Sequence, residues 1–109
     1  MINEERLPVI HPGEILKEEF LGPMGITPYK LSKDIGVPQT QISQIIHGKR
    51  SITPKIAVRL GLYFGNSTEF WLNLQRDYDI EVMEDETPSI QIKRPDGTEA
   101  VYQFAGARR

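Results

Sequence analysis

Apolar side chains recur at helical spacing through most of the chain. They form short runs, and residues typical of turns lie between the runs. A proline follows His11, Thr27 and Thr53, and proline suits the first turn of a helix. Glycine-containing pairs, Gly22-Pro23 and His47-Gly48 among them, mark predicted ends. The pattern predicts five helices in a compact bundle, at about residues 11–21, 28–35, 38–46, 54–64 and 66–82. Asn66, with Glu69 three residues later, is the expected cap of the fifth helix.

The periodicity changes near the end of the chain. Residues 89–93 and 99–104 alternate with period two around the turn sequence Arg94-Pro95-Asp96-Gly97-Thr98, which predicts a short β-hairpin. The fold class is therefore mainly α with a C-terminal hairpin. We divide the chain into an extended segment (1–10), a helical domain (11–86) and a hairpin extension (87–109). An isolated hairpin is marginal in water, so this one is expected to pack on the bundle, a second copy or a partner.

Composition narrows the class of protein. The 109 residues are 39% hydrophobic and 26% charged, as in an ordinary soluble domain, and they include no cysteine. Disulfide scaffolds and thiolate sites are therefore excluded. The sequence contains neither a long apolar run nor the apolar stretch of a signal peptide. We expect a small cytoplasmic domain with no membrane partner.

Charge is segregated along the chain, although the net charge is only −2. Residues 27–60 contain six Lys or Arg and one Asp, a local charge of +5. Residues 69–86 contain seven Asp or Glu and one Arg, a local charge of −6. The charge of the first segment favours binding to a polyanion, and that of the second favours binding to a basic partner.

Residues 28–48 fit two short helices that pack across a glycine turn. Leu31 and Ile35 form the inward face of the first helix, and Ile42 and Ile45 form that of the second. Gly36 permits a left-handed turn between them. This pattern is that of a helix-turn-helix.

The outward face of the second helix carries hydrogen-bonding side chains and no charge, a composition suited to reading base edges. The candidate base-reading residues are Gln39, Thr40, Gln41, Ser43 and Gln44. Nearby basic and hydroxyl side chains are expected to bind phosphates. The candidate phosphate-binding residues are Lys33, Lys49, Arg50, Thr53 and Lys55. A solvated helix in any bundle also shows a polar face, so the pattern alone leaves that interpretation open.

Two motifs carry a family resemblance: the start His11-Pro12-Gly13-Glu14 and the run Phe70-Trp71-Leu72-Asn73-Leu74-Gln75. With the segments between them, they resemble the HigA-type (virulence-associated protein I-like) antitoxins of the Cro-type helix-turn-helix group, over residues 11 to about 81. The resemblance implies a five-helix Cro/lambda-repressor-like domain that acts as a homodimeric repressor of its own toxin–antitoxin operon. It also implies a small basic RelE-like ribonuclease toxin as partner, and residues 39–44 as the recognition helix.

The chain departs from that family at its end. Family members are expected to finish soon after the fifth helix, whereas this chain continues with the predicted hairpin. A strand of this tail can extend a sheet in a partner or pair with its own copy. We favour self-pairing, because a dimer is needed for two half-sites on DNA.

Catalytic chemistry finds little support in the sequence. No nucleophile–base pair or phosphate-binding glycine loop stands out, so we expect no enzyme activity, no cofactor and no metal. Asp77, Asp79 and Glu81 resemble part of a calcium loop but lack its glycine, and an acidic helix face is favoured. Two alternatives stay open: a stand-alone regulator without a toxin, and a protein-binding module in which DNA binding is secondary.

Overall fold

The computed structural model describes residues 9–87 and 89–103. They fall into two units, Ile10–Tyr78 and a unit that contains Val9 and the chain from Asp79 onward. Helix α6 (Thr68–Glu86) contributes residues to both. Of the predicted extended segment, residues 1–8 lie outside the described residues, as do 88 and 104–109 of the predicted hairpin extension.

The first predicted helix is longer than expected. It begins as α1 (Pro12–Ile15), continues through a π-helical segment (Leu16–Leu21) and ends as α2 (Gly22–Met24), with a right-handed helical backbone at both junctions. His11 caps its start, because Nδ1 accepts a hydrogen bond from the Gly13 N–H at 2.9 Å.

The predicted stop at Gly22-Pro23 was therefore wrong, and the helix ends at the left-handed Gly25. The N–H of Gly22 bonds to the Lys17 carbonyl five residues back, which widens the turn. Pro23 follows in the first turn of α2, where it donates no backbone hydrogen bond, and the helix continues past it to Met24.

The next three predicted helices are confirmed as α3 (Pro28–Ile35), α4 (Gln39–Ile46) and α5 (Pro54–Phe64). The hydroxyl of Thr27 accepts from the Lys30 N–H at 3.0 Å, and that of Thr53 accepts from the Ile56 N–H at 3.5 Å. Such N-caps satisfy donors that have no partner inside the helix.

The cap of the fifth predicted helix, α6, is Ser67 and not Asn66 as predicted. The Ser67 hydroxyl accepts from the Phe70 N–H at 2.9 Å. The Asn66 N–H instead bonds to the Gly61 carbonyl, so Asn66 completes the end of α5 after the left-handed Gly65. Its side-chain oxygen accepts from the indole Nε1 of Trp71 at 2.8 Å.

One hydrophobic core holds the helical unit together, and its Trp71 is fully buried. The ring centroids of Phe20 and Phe70 lie 5.0 and 5.1 Å from that of Trp71. The core comprises Leu16, Leu21, Leu31, Ile35, Val37, Ile42, Ile45, Ile52, Ile56, Ala57, Leu60 and Trp71. Among the residues that the structure describes, no helix combines the length and apolar character that crossing a bilayer requires.

The predicted hairpin is confirmed as β1 (Ser89–Lys93) paired antiparallel with β2 (Glu99–Gln103). Ile90 pairs with Tyr102 and Ile92 with Ala100, so these four side chains share one face. In the turn, the Asp96 carboxylate accepts from the Thr98 N–H at 2.9 Å.

Candidate nucleic-acid interface

Helices α3 and α4 are joined by the tight turn that the sequence predicted. Gly36 is left-handed, with φ of 71°, and the N–H groups of Gly36 and Val37 both bond to the Ser32 carbonyl. The predicted inward residues, Leu31 and Ile35 on α3 together with Ile42 and Ile45 on α4, are all buried. Because these faces are buried, the opposite face of α4 points toward solvent.

The outer face of α4 forms an open groove lined by Gln39, Thr40, Ser43 and Gln44. Gln39 and Thr40 are exposed, whereas Gln41, Ser43 and Gln44 are half-buried. Helical geometry places Gln41 about 60° around the axis beyond Gln44. The groove therefore brings together four of the five predicted base-reading residues, with Gln41 beside its rim.

His47, which the sequence predicted only as part of a helix end, lies at the end of the same face. It is exposed, and its Nδ1 lies 2.8 Å from the Ser43 carbonyl oxygen. Its spacing of four residues from Ser43 is the signal that places it there.

The loop after α4 folds back onto Gln44. Gly48 is left-handed, with φ of 74°, and the Lys49 N–H bonds to the Gln44 carbonyl at 2.7 Å. The Arg50 Nε–H donates to the Gln44 side-chain oxygen, also at 2.7 Å. A predicted phosphate-binding residue and a predicted base-reading residue are therefore in direct contact.

Lys33 borders the other end of α4. With Tyr29 and Gln39 it lines a second groove beside Gly36. The Lys33 ammonium lies 5.6 Å from the centre of the exposed Tyr29 ring, a cation–π contact. Tyr29 was missed by the sequence analysis, although its spacing of four residues from Lys33 was visible.

Thr53 and Lys55 lie at the start of α5, and both are exposed. The Thr53 oxygen caps the helix, while its hydroxyl hydrogen stays available as a donor. Lys55 occupies the first turn.

Two of the six basic residues in 27–60, Lys30 and Arg59, bind partners on α3 and not in the α4 groove. Lys30 pairs with Asp34 at 3.0 Å, and Arg59 donates to the Ile35 carbonyl at the end of α3 at 2.8 Å. The Tyr63 hydroxyl also donates to Asp34, at 2.7 Å. This hydrogen bond and the one from Lys30 lower the pKa of Asp34. Lys33, Lys49, Arg50 and Lys55 remain as the other basic residues of this segment.

The acidic stretch Asp77–Glu81 lies within α6, so its predicted helical conformation is confirmed. Within 9–87 and 89–103, no three His, Cys, Asp or Glu side chains cluster closely enough to hold a metal ion.

Two short helices, a left-handed glycine turn and an exposed polar face on the second helix define a helix-turn-helix domain. A helix-turn-helix family model matches residues 16–71. Virulence-associated protein I of Dichelobacter nodosus is 42% identical over 97 residues, which cover 89% of this chain and 90% of that protein.

Solved structures agree with these relationships. The Pseudomonas aeruginosa antitoxin HigA, solved with the higBA promoter, is 39% identical with a TM-score of 0.69, over 71% of this chain and 84% of that one. An addiction module antidote protein of the HigA family from Coxiella burnetii is 41% identical with a TM-score of 0.70, over 73% and 87%. The chain belongs to the family of virulence-associated protein I and the HigA antitoxins. This is a family of helix-turn-helix regulators and not of enzymes, as the sequence analysis expected.

Proposed function

We propose that this protein binds a specific double-stranded DNA sequence as a homodimer and represses transcription of the operon that encodes it. The groove on α4 carries the proposal, because its uncharged amides and hydroxyls match base edges in the major groove. The structure of the Pseudomonas aeruginosa HigA antitoxin with a promoter supports a DNA partner.

The two sets of predicted residues act differently. Lys33, Lys49, Arg50, Thr53 and Lys55 bind phosphates and make the affinity depend on salt. Sequence is read by Gln39, Thr40, Gln41, Ser43 and Gln44. Of these, Gln41 contributes least, because it lies beside the groove and not in it.

A homodimer follows from the geometry of DNA. One copy presents one α4 helix and covers one half-site. Two half-sites one helical turn apart, about 34 Å, require a second copy.

The direct test is binding of the purified protein to the DNA upstream of its own gene and to random DNA, by fluorescence anisotropy from about 50 to 200 mM salt. We expect a tight complex with the upstream DNA at the higher salt and weak binding to random DNA. Equal affinities that fall together as salt rises would overturn the proposal, because electrostatics alone would then account for binding.

We propose in addition that the protein neutralises a small basic RelE-like ribonuclease toxin. The acidic residues that follow Tyr78 support this function, because a dense negative charge attracts a basic partner. These residues are Asp79, Glu81, Glu84, Asp85 and Glu86.

The test of toxin binding is co-purification with the product of the neighbouring gene. We expect a complex whose association slows as salt rises. DNA binding without such a complex would instead establish a stand-alone regulator. A complex without specific DNA binding would establish a protein-binding module.

A further inference from the structure

Gln44 is held by the loop that follows its own helix. The Lys49 N–H bonds to its backbone carbonyl, and the Arg50 Nε–H bonds to its side-chain oxygen, each at 2.7 Å. Arg50 is six positions after Gln44, so their contact depends on the reversal at Gly48. Gln44 lines the α4 groove while it makes this contact.

The contact sets the orientation of the Gln44 amide. A guanidinium can only donate hydrogen bonds, so the amide atom that faces it must be the oxygen. A flipped amide would place its NH₂ group against the Arg50 N–H, donor against donor. The bound oxygen keeps a second lone pair, and both hydrogens on Nε2 are left for another partner.

These free hydrogen-bonding groups of Gln44 match those on the major-groove edge of adenine. Glutamine reads adenine by donating to N7 and accepting from the N6 amino group, which requires the amide in one orientation. The four N–H bonds on the Arg50 Nη atoms are left to bind a phosphate.

We propose that Arg50 is a positioning residue for sequence recognition: it holds the Gln44 amide in the orientation that reads adenine while its terminal nitrogens bind the DNA backbone. This inference rests on the proposed DNA-binding function. It assigns Arg50 a part in specificity in addition to the phosphate contact predicted from sequence. The contact is solvent-exposed in the free protein and strengthens at an interface that excludes water.

The test replaces Arg50 with lysine, which keeps the positive charge and loses the planar donor fork. We expect Arg50→Lys to reduce the ratio of operator to random-DNA affinity roughly tenfold. The slope of log affinity against log salt should stay unchanged, because the charge is retained. In binding selections from randomised operators, the lost preference should fall at the same A·T pair that Gln44→Ala loses.

Lys49→Ala is the matched control, because it removes a positive charge next to Arg50 in the same loop. It should weaken binding to both DNAs, lower the salt slope by about 0.9 and leave the sequence preference intact. In the Gln44→Ala background, Arg50→Lys should reduce discrimination no further, since the positioned amide is gone.

The outcomes distinguish failure of this inference from failure of the proposed DNA-binding function. If the wild type discriminates and Arg50→Lys discriminates equally well, Arg50 does not position Gln44 and the inference is overturned. A preference lost at base pairs other than those of Gln44→Ala overturns it as well. If the wild-type protein does not discriminate between operator and random DNA, both the proposed function and this inference are overturned.

Discussion

The side-chain oxygen of Gln75 accepts a hydrogen bond from the Ile52 N–H at 2.8 Å across 23 residues of sequence. Both residues are buried, with 6% and 2% of their surface exposed. A buried N–H needs a partner, and here helix α6 supplies it to the segment between Arg50 and Thr53. The loop beside the α4 groove is therefore held in place by a distant helix.

Gln75→Met tests this support, because methionine keeps the volume of the side chain and removes the acceptor. We expect a loss of about 1–3 kcal/mol in the free energy of unfolding, since the Ile52 N–H is left buried and unpaired. Urea denaturation measures it. Arg76→Met is the control, because the contacts of Arg76 are exposed and its loss should change stability by less than about 0.5 kcal/mol. Equal effects at both positions would contradict the prediction.

Gly13→Ala is expected to be the most damaging glycine substitution among those that the structure describes. A Cβ at Gly13 would overlap the backbone carbonyl oxygen of Ile45, where α1 meets α4. Backbone cannot yield as a flexible side chain can, so we expect a loss of at least about 3 kcal/mol or failure to fold.

Gly22→Ala is the matched control, because Gly22 is also helical and its added Cβ would meet only the Lys17 carbonyl oxygen, at 3.3 Å. Its stability should change by less than about 1 kcal/mol. Thermal denaturation of both variants measures the two losses of stability. Similar unfolding midpoints for the two variants would contradict the close approach of α1 to α4.

Gln39→Ala tests the groove directly. We expect operator affinity to fall roughly tenfold with affinity for random DNA unchanged, because an amide that reads a base contributes only at the matching sequence. Gln91→Ala, which removes an exposed glutamine on β1, should alter neither affinity. Equal losses on operator and random DNA would show that Gln39 does not read a base.

Tyr63→Phe tests the cause of the lowered pKa of Asp34. The Tyr63 hydroxyl is its largest cause, so the pKa should rise toward the usual value for aspartate in the variant, as measured by NMR titration. Asp96 serves as internal control, because its lowered pKa comes from Thr98 and should not move. An Asp34 pKa that is the same in both proteins would exclude the hydrogen bond as the cause.

The same shift predicts the pH dependence of stability. A carboxylate whose pKa is lowered in the folded state stabilises it above the unfolded pKa. This stabilisation disappears as pH falls through the folded pKa. The stability difference between wild type and Tyr63→Phe should therefore be present at neutral pH and vanish in acid.

Local signals account for the helix boundaries that were predicted correctly. Thr27-Pro28 and Thr53-Pro54 cap and start helices through atoms within three residues of each other. Gly36 ends α3 because its left-handed conformation is accessible to glycine without strain. The two wrongly predicted boundaries lie where hydrogen bonds overrode a strong local signal. Pro23 follows a π-helical segment and does not end its helix. Asn66 bonds to Gly61 and Trp71 and does not cap α6.

Periodicity and capping act over a few residues, so the sequence alone predicted the helix-turn-helix, the hairpin and the polar face of α4. The family resemblance was carried by the motifs at residues 11–14 and 70–75. Which of the predicted site residues touch each other depends on how the chain folds beyond its local elements. The Gln44–Arg50 contact depends on the reversal at Gly48, and the Ile52–Gln75 hydrogen bond depends on how α6 packs. The requirement for glycine at position 13 likewise comes from the Ile45 carbonyl on another helix. The last two contacts join residues whose separation in sequence carries no signal, and packing of the core brings them together.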